Sequence, residues 1–503
     1  MSSTAYTVFK TTAGGSPKNT PDSGTEKDLR SRQIDELVVL SENARREVYG
    51  PDADTDTANF YNLHERTRKS PTFRPHIMAP QLQMLLLADA TDLTEGSVRI
   101  CINHKKTGRD AAREKAFQEH WRQEFFNLQL LQAQVYANFS GTAWLQAGYD
   151  PLARRGEGVA WLRARAQKGV YSDPISPWPQ DWSWQVIEDS IYLDEVRRRY
   201  PDHADAIRPR TARAEALVGP PAGGIEMPPG PMSVTVRGLP GGEQYTSDGV
   251  LRIRTLYARD ATLMEPTDVM KAAFAKRGMP VPKSVPKYPT GRMIVDCEGT
   301  ILVDGQAWLP LGEMWPAIPV WSIMPWDSVW CPSPVKYTRS LQDATERLMT
   351  QTYENAHRLN NGVWFIPEES GITADQFGGL PGEIVILSPN SQRMPEIKYP
   401  PPMPAQMIDL PMKYLQLQRE LQGFSQARQG NPGAGNISAD LFNSAVSESQ
   451  PISRMRAKLF SYSVQKVAEI IFWTMCKFYK NPRTFYSNKY AQATPQVDPG
   501  SDQ

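Results

Sequence analysis

The sequence lacks an excess of either charge. Its 503 residues include 56 Lys and Arg against 55 Asp and Glu, which leaves a formal net charge of +1. A protein that binds nucleic acid tightly neutralises each contacted phosphate with a basic side chain of its own, and therefore carries a clear basic excess. The nearly equal numbers of basic and acidic residues argue against a protein that binds nucleic acid tightly. If the protein meets nucleic acid, we expect it to guide the strand and not to hold it tightly.

Cysteine and long apolar runs are also scarce. The four cysteines, Cys101, Cys297, Cys331 and Cys476, are far apart and form no C-x-x-C pair. This spacing is typical of reduced, buried thiols and argues against a disulfide framework or a zinc site. No run of 18 apolar residues occurs, so we expect no membrane-spanning segment. The first residues lack the basic start and apolar stretch of a secretion signal, so we expect an intracellular protein.

Motifs for catalysis and cofactor binding are missing as well. The sequence has neither G-x-S-x-G nor H-E-x-x-H, and none of its six histidines lies at metal-ligand spacing from another His or Cys. The glycine loop "GNPGAG" at 430–435 follows a predicted helix and lacks the Lys-Ser/Thr of a P-loop. A Rossmann fingerprint fails for the same reason. We therefore predict no cofactor, no metal site and no catalytic activity.

A group of carboxylates is the main argument for an enzyme. Four of them are predicted to share a helix, 183–201, with the arginines at 197–199. They are Glu188, Asp189, Asp194 and Glu195. Such a helix is most simply a solvated face with i,i+4 charge pairs. A hydrolase that uses a carboxylate pair remains an alternative interpretation.

What the sequence does contain is a succession of helices and strands separated by proline-rich chain, with 43 prolines in all. Its length predicts about three structural units. The remaining helices predicted from apolar spacing lie within 26–50, 109–139, 406–427 and 451–479, and the predicted strands are 141–151, 249–260, 362–371 and 382–389. Residues 1–25 and 481–503 have the composition of flexible arms, and 208–249 that of a long Pro/Gly-rich loop.

Residues 266–361 show the most specific order of elements. A short predicted helix at 266–279 precedes a predicted β-hairpin, "RMIVDCEGTILVDG", which turns at Glu298-Gly299. A long helix over 333–361 then begins with Ser333 as its cap. Its predicted apolar stripe consists of Leu341, Ala344, Leu348, Thr352, Ala356 and Leu359. Basic residues lie away from this stripe, at Lys336, Arg339 and Arg347, and Asp343 is placed to pair with Arg347; ordinary surface charge is the simplest explanation for them.

Two further segments need an explanation. Residues 307–334 contain five tryptophans and six prolines, which indicates either a protein core or a surface that packs against another subunit. The loop from Gln429 to Ala439 carries no charge, and its three glycines allow positive φ. Arginines in such a loop would bind phosphates strongly. An uncharged loop fits contact with DNA that slides past, and a plain surface turn between two helices is the alternative.

The order of these elements resembles that of the portal proteins of tailed bacteriophages. It runs from "EPTDVMKAAFAKRGM" through "SPVKYTRSLQDATERLMTQTYENAHRLNNGVWFIPEESG" to "QARQGNPGAGNISADLFNSA". The resemblance covers the chain from about residue 30 to about residue 480. It implies an α+β portal fold in which long helices predominate, and a ring of about twelve copies around a DNA channel at one capsid vertex.

The resemblance also implies a division of the chain. The implied regions are the wing (26–265 and 362–449), the stem helices (266–279 and 333–361), the clip (280–332), the tunnel loop (429–438) and the crown helix (450–480). The residues then expected along the channel are Gln429, Gly430, Asn431, Pro432, Gly433, Ala434, Gly435 and Asn436 in the tunnel loop, with Lys336, Arg339 and Arg347 in the stem. Those expected to bind partners in the clip are Arg292, Trp308, Trp315 and Trp321.

The implied partners are further copies of the chain, double-stranded viral DNA, the large terminase subunit, head–tail adaptor proteins, and the major capsid and scaffolding proteins. The implied location is the portal vertex of the virion, after assembly in the host cytoplasm. A portal ring has no catalytic activity of its own and takes its energy from a partner ATPase. Another phage neck or adaptor protein remains an alternative, as does an enzyme with an unrecognised carboxylate site.

Overall fold

The computed structural model is an α+β protein, as predicted. It describes residues 23–49, 77, 80–94, 100–104, 108–109, 111–203, 250–276, 278, 280–360, 363–365, 396–398, 404–423 and 451–479. The chain divides into two compact units. Unit 1 contains the described residues of 1–58, 87–334 and 453–503, and unit 2 contains those of 59–86 and 335–452.

Long helices predominate among the helical elements, as expected, and three of them have 27 or 28 residues. The helices in the described part of the chain are α1 (Ser23–Tyr49), α2 (Gln81–Thr94), α3 (Ala111–Gln123), α4 (Phe126–Ser140), α5 (Ala153–Gly156), α6 (Leu193–Arg199), α7 (Asp268–Lys276), α8 (Pro334–Asn360), α9 (Ala405–Leu421) and α10 (Pro451–Phe478). Short 3₁₀ turns lie at Pro179–Asp181 and Pro201–His203.

The strands of the described residues belong to five antiparallel sheets. They are β1 (Asn103–His104), β2 (Gly108–Arg109), β3 (Thr142–Asp150), β4 (Val159–Arg165), β5 (Val170–Ser172), β6 (Trp184–Tyr192), β7 (Val250–Ala258), β8 (Leu263–Met264), β9 (Val285–Pro286), β10 (Arg292–Cys297), β11 (Thr300–Gln306), β12 (Ala317–Trp321), β13 (Val363–Phe365) and β14 (Glu396–Lys398).

The largest sheet lies in unit 1 and has the strand order β11-β10-β7-β6-β5. Strands β6 and β7 pair over nine residues, from Trp184 opposite Ala258 to Tyr192 opposite Val250. The predicted hairpin is confirmed as β10 and β11. Its turn residues Glu298 and Gly299 both have positive φ, as the right-handed twist of the paired strands favours. Helix α1 contacts this sheet and contributes Ile34 to its core.

A second sheet, β12-β3-β4, holds the largest core of unit 1. Helices α4 and α10 supply apolar residues to this core. The tryptophans in it contact one another through tilted or edge-on rings, with centroids 5.8 to 6.0 Å apart along the series Trp330, Trp144, Trp182 and Trp315. Such pairs add to the free energy of area burial, so this series ties strand β3 to the proline-rich segments beside it.

Two predicted helices differ in the structure. The segment 183–201 is a strand, β6, for its first half and becomes helix α6 only at Leu193. The charged residues of this segment favoured the prediction of a helix. Val186 and Ile187, however, are buried in a strand that lies between β5 and β7. The helix predicted over 109–139 is broken into α3 and α4 at Phe125, whose φ is +53°. A left-handed residue ends the helical hydrogen-bond ladder, and the apolar spacing alone does not reveal it.

The two units cut across the regions that the portal resemblance implies. The segment expected as a clip, 280–332, belongs to the same unit as residues 250–276, because β10 pairs along its length with β7. The first expected stem helix is α7 in unit 1, and the second is α8, which lies in unit 2 after its first residue. The alternating apolar pattern of 292–297 predicts a strand, but it does not identify the strand with which this one pairs. The expected crown helix, α10, lies mostly in unit 1, where it packs in the main core.

Candidate functional site

The three basic residues predicted to face DNA lie on one side of helix α8. Lys336, Arg339 and Arg347 are separated by three and eight residues, spacings that return to the same face of an α-helix. Lys336 and Arg347 are exposed. The Arg339 side chain keeps 38% of its surface exposed. The structure therefore brings the three side chains together on one accessible face within unit 2, which we call the basic face.

The basic face also carries acidic groups. Asp343 lies on it, and its Oδ2 is 3.9 Å from Nε of Arg339. This differs from the prediction that Asp343 pairs with Arg347; both arginines lie one turn away, so the spacing alone could not choose between them. Glu354 follows on the same side of the helix. Between Lys336 and Glu354 the face thus carries three basic and two acidic residues.

The other side of α8 packs through polar side chains. Thr338, Gln342, Thr345 and Glu346 are buried. The Gln342 amide donates to the Glu346 carboxylate at 2.8 Å. Leu341 and Leu348, which belong to the predicted apolar stripe, are only half-buried. The predicted apolar stripe is therefore not the most buried side of α8: helical spacing shows which residues share a face, but the neighbouring helix decides which face is covered.

That neighbour is helix α9. The Gln418 Nε2 donates to Gln342 Oε1 at 2.9 Å, and the Gln422 Nε2 donates to Thr338 Oγ1 at 3.2 Å. We call these contacts, with Glu346, the polar seam. Hydrogen bonds at such a seam are directional, so they specify one register between two helices where leucines would tolerate several.

Helix α9 leaves an apolar stripe beside the polar seam. Leu410, Tyr414, Leu417 and Leu421 recur at i, i+4, i+7 and i+11, which places them on one face. Leu417 is 44% exposed and Leu421 is 52% exposed. The contact between α8 and α9 is thus polar, while leucines of α9 are exposed to solvent. This is the reverse of the pattern expected for an isolated pair of helices.

The predicted tunnel loop lies outside the described residues. Its members are Gln429, Gly430, Asn431, Pro432, Gly433, Ala434, Gly435 and Asn436. Helix α9 ends at Leu421, eight residues before this loop. The expected contact of the loop with DNA therefore stays a prediction.

Arg292, one of the residues expected to bind partners, forms ion pairs inside the folded subunit. Its guanidinium makes two hydrogen bonds of 2.8 Å to the two oxygens of Asp304 and lies 3.3 Å from Asp260. Burial alone would raise the pKa of Asp304, but the hydrogen bonds and charge of Arg292, together with Arg30, outweigh burial and lower that pKa. Only 10% of the Arg292 side chain is exposed, so this residue joins β10 to β11 and is not available as a docking contact.

The tryptophans expected in the clip are mostly core residues. Trp315 and Trp321 are 1% and 0% exposed, and the Trp321 indole donates to the Val329 carbonyl at 2.9 Å. Trp308 is half-buried against α10, near Trp473. The first two side chains are therefore not accessible to a partner on the folded subunit. Tryptophan content alone could not separate core from surface, because both environments favour the residue.

An exposed tryptophan in the same segment was not predicted as a site. Trp326 is 92% exposed and follows Met324, which is 48% exposed. The loop that carries it is held at its base, where the Val329 carbonyl accepts bonds from Trp321 and from the Thr142 hydroxyl at 3.1 Å. Its flanking residues, Pro325 and Asp327, are the only hint in the sequence, since both are typical of a turn. This loop thus presents a large aromatic group to solvent.

The four carboxylates considered for catalysis do not form one site. Glu188 and Asp189 lie on β6, where Glu188 is 3.8 Å from Arg252 and Asp189 binds Arg165. Burial raises the pKa of Glu188, although Arg252 opposes the shift. Glu195 lies on α6 and binds Arg198 and Arg199. Glu188, Asp189 and Glu195 are thus ion-pair partners spread over two elements.

A small cleft in unit 1 contains another set of ionisable groups. It is lined in part by Glu313, Tyr462, Lys466 and Glu469. The Lys466 ammonium lies 2.8 Å from Glu469. Burial raises the pKa of Tyr462, and the charge of Glu469 adds to the shift. With one carboxylate paired to a lysine, the cleft gives little support to an acid–base enzyme.

Within the described residues, no group of three or more His, Cys, Asp or Glu is arranged to hold a metal ion. The helices in that same part of the chain are all too short or too polar to cross a bilayer. No protein-family model and no curated protein matches the chain.

Proposed function

We propose that this chain is the subunit of a portal ring, in which about twelve copies surround a channel for double-stranded viral DNA. The ring would occupy one vertex of a capsid, where the genome enters during packaging and leaves during ejection. In this proposal the chain performs no catalysis itself. The large terminase subunit supplies the energy, and head–tail adaptor, capsid and scaffolding proteins bind the outside of the ring.

The observation that carries the proposal is the arrangement of helix α8. The helix has 27 residues, or about 40 Å at 1.5 Å per residue, which is long enough to follow DNA for about one helical turn. Lys336, Arg339 and Arg347 lie on one accessible face, while the side that packs on α9 is held in register by the polar seam. A rigid helix that presents widely spaced charges suits contact with phosphates along a duplex.

The sign balance of the basic face supports guidance over tight binding. Between residues 336 and 354, its three basic residues share the face with Asp343 and Glu354. Each phosphate contact contributes an affinity term that depends steeply on salt. A ring that bound many phosphates per subunit would hold the genome too tightly for translocation, whereas a weakly positive helix steers the duplex and releases it.

The exposed apolar groups support assembly. Leu417 and Leu421 on α9 and Trp326 in unit 1 are exposed in the isolated subunit. Large exposed apolar groups, above all tryptophan, are typical of protein interfaces. We propose that these groups are covered in the ring or by its partners. Trp326 and the accessible edge of Trp308 replace Arg292, Trp315 and Trp321 as the partner-binding candidates of segment 280–332.

Particle imaging and native mass spectrometry of the full-length protein test this proposal. A closed ring of about twelve subunits with a central hole is expected. A monomer or dimer that persists across salt and protein concentration would overturn it. A solid oligomer without a channel would point instead to another structural protein of the virus neck.

A further inference from the structure

Three described connections join the two units, and all three are helical. Helix α2 passes between the units at Leu86/Leu87, α8 at Pro334/Val335 and α10 at Ile452/Ser453. A helix transmits position better than an irregular linker because its backbone hydrogen bonds make it stiff. Each of these three helices therefore contributes one end to unit 1.

One buried network in unit 1 contacts all three of these ends. Asp89 on α2, Ser333 before α8 and Arg456 on α10 each lie within three residues of the change of unit. The Arg456 Nη1 donates to Asp89 Oδ2 at 2.8 Å. Arg456 and Asp89 side chains are 3% and 0% exposed. A completely buried ion pair thus joins two helices that are 367 residues apart in sequence.

Asn138, near the end of α4, connects the rest of the network. Its side-chain amide donates to Asp89 Oδ2 at 3.3 Å, and its Oδ1 accepts a bond from the Ser322 hydroxyl at 3.3 Å. Arg456 Nε donates to the Ser322 carbonyl at 3.1 Å, which closes a ring of contacts. We call Asp89, Asn138, Ser322, Ser333 and Arg456 the anchor network.

Ser333 brings the third connection into the anchor network. Its hydroxyl donates to the backbone carbonyls of Asn138 and Phe139, at 3.3 Å and 2.5 Å. The last carbonyls of a helix lack partners within the helix, so this hydroxyl completes the end of α4 while it holds the chain one residue before α8. The start of α8 is thereby attached to α4 as well as to its own sequence neighbours.

We propose that the anchor network is a positioning site, which holds the unit-1 ends of the three helical connections in one fixed arrangement. A buried, hydrogen-bonded ion pair is a poor source of stability compared with apolar packing, and its best-attested use is to specify one geometry. Its consequence for the channel rests on the portal function proposed above: α8, which carries the basic face, starts from a fixed point within unit 1.

The protein offers a matched control for the test. Arg254 and Asp296 form a second buried ion pair in unit 1, with an Nη2 to Oδ2 distance of 2.8 Å and exposures of 5% and 0%. This pair joins β7 to β10 within the five-stranded sheet, and Arg254 also binds Asp35 of α1. The paired variants D89N/R456Q and R254Q/D296N replace each ion pair with neutral groups that can still hydrogen-bond.

Hydrogen–deuterium exchange of the full-length protein measures the effect without reference to DNA. In D89N/R456Q, amides of 335–342 and 81–86 should exchange at least about tenfold faster than in the parent protein, while β3 and β12 change less than about twofold. In R254Q/D296N the unit-2 peptides should stay within about twofold. The same pattern in both variants, or unchanged 335–342 exchange in D89N/R456Q, would overturn the proposal.

A milder variant covers the case in which the double substitution does not fold. S333A removes one hydroxyl and should accelerate exchange at 335–342 about three- to tenfold, with β6 and β7 unchanged. Protection equal to that of the parent protein would contradict the anchoring role. Because these measurements need neither a ring nor DNA, a failure here leaves the portal proposal to its own imaging test, and a missing ring leaves this result intact.

Discussion

Gly141 packs directly against the backbone of Cys331. A Cβ on Gly141 would lie 2.0 Å from the Cys331 carbonyl oxygen, and its φ is +90°. The Gly141 carbonyl in turn accepts bonds from Ser322 N at 2.9 Å and from the Cys331 thiol at 3.0 Å. The chain turns here from α4 into β3 with no room for a side chain, beside the segment that leads into α8.

The first prediction concerns this contact. Substituting Gly141→Ala should lower the free energy of unfolding by at least about 3 kcal/mol, because the backbone strain and the clash with a carbonyl add. Urea denaturation followed by tryptophan fluorescence measures the loss. Gly156→Ala is the matched control, because Gly156 has a similar φ of +92° but no atom lies within 4 Å of the added Cβ. Its loss of unfolding free energy should therefore be smaller, since it reflects backbone strain without the clash. Equal costs for the two would contradict the steric argument.

A pH dependence follows from the lowered pKa of Asp304. A carboxyl with a lower pKa in the folded than in the unfolded state stabilises the protein above its unfolded pKa of about 3.9. That stability is lost as pH falls through the folded pKa. Asp304→Asn should therefore cost about 1.5–3 kcal/mol at pH 7, and the difference from the parent protein should shrink below about pH 4. Denaturation midpoints at pH 7, 5 and 3 measure it, and a pH-independent difference would refute the ion-pair role.

The third prediction separates assembly from folding. Trp326→Ala should change subunit stability by less than about 0.5 kcal/mol, because the side chain is 92% exposed. If Trp326 is an interface residue, the variant should form rings at least about tenfold less readily in native mass spectrometry. Trp321→Ala is the contrast, since a fully buried tryptophan costs about 3–5 kcal/mol on truncation. Normal ring formation by Trp326→Ala would remove it from the interface.

The fourth prediction addresses the basic face. In assembled rings, the double substitution Lys336→Ala and Arg347→Ala should leave the number of subunits in the ring unchanged, because both side chains are exposed. DNA binding should become less salt-dependent, with the logarithmic slope reduced by about 0.9 for each lost phosphate contact. Replacing exposed Lys115 and Arg163 of unit 1 supplies a control with the same change in charge. An equal reduction in both double variants would show that general charge, and not the helix face, is responsible.

The local elements followed well from the sequence wherever one pattern dominated. The β10–β11 hairpin is marked by alternation around Glu298-Gly299, and α8 was predicted within one residue at each end. The misses occurred where two signals competed. In 183–201 the charges favoured a helix, but pairing with β7 along nine residues made the first half a strand, because burial in a sheet outweighs local propensity.

The candidate site was only partly visible in the sequence. Spacing alone placed Lys336, Arg339 and Arg347 on one face, since helix geometry is the same in every protein. The sequence did not show clearly which tryptophans are accessible, because Trp321 and Trp326 lie in the same proline-rich segment and only the turn residues beside Trp326 distinguish them. Their exposures of 0% and 92% depend on whether α10 and β3 cover them.

By itself, then, the sequence determined the elements, their faces and the near neutrality of the chain, because these depend on residue types and spacings a few positions apart. Only the tertiary structure decided which faces are buried: glutamine and threonine on α8, and an ion pair between Asp89 and Arg456. The reason is distance along the chain. Residues that are hundreds of positions apart come into contact only in the folded protein, and no local sequence pattern indicates such contacts.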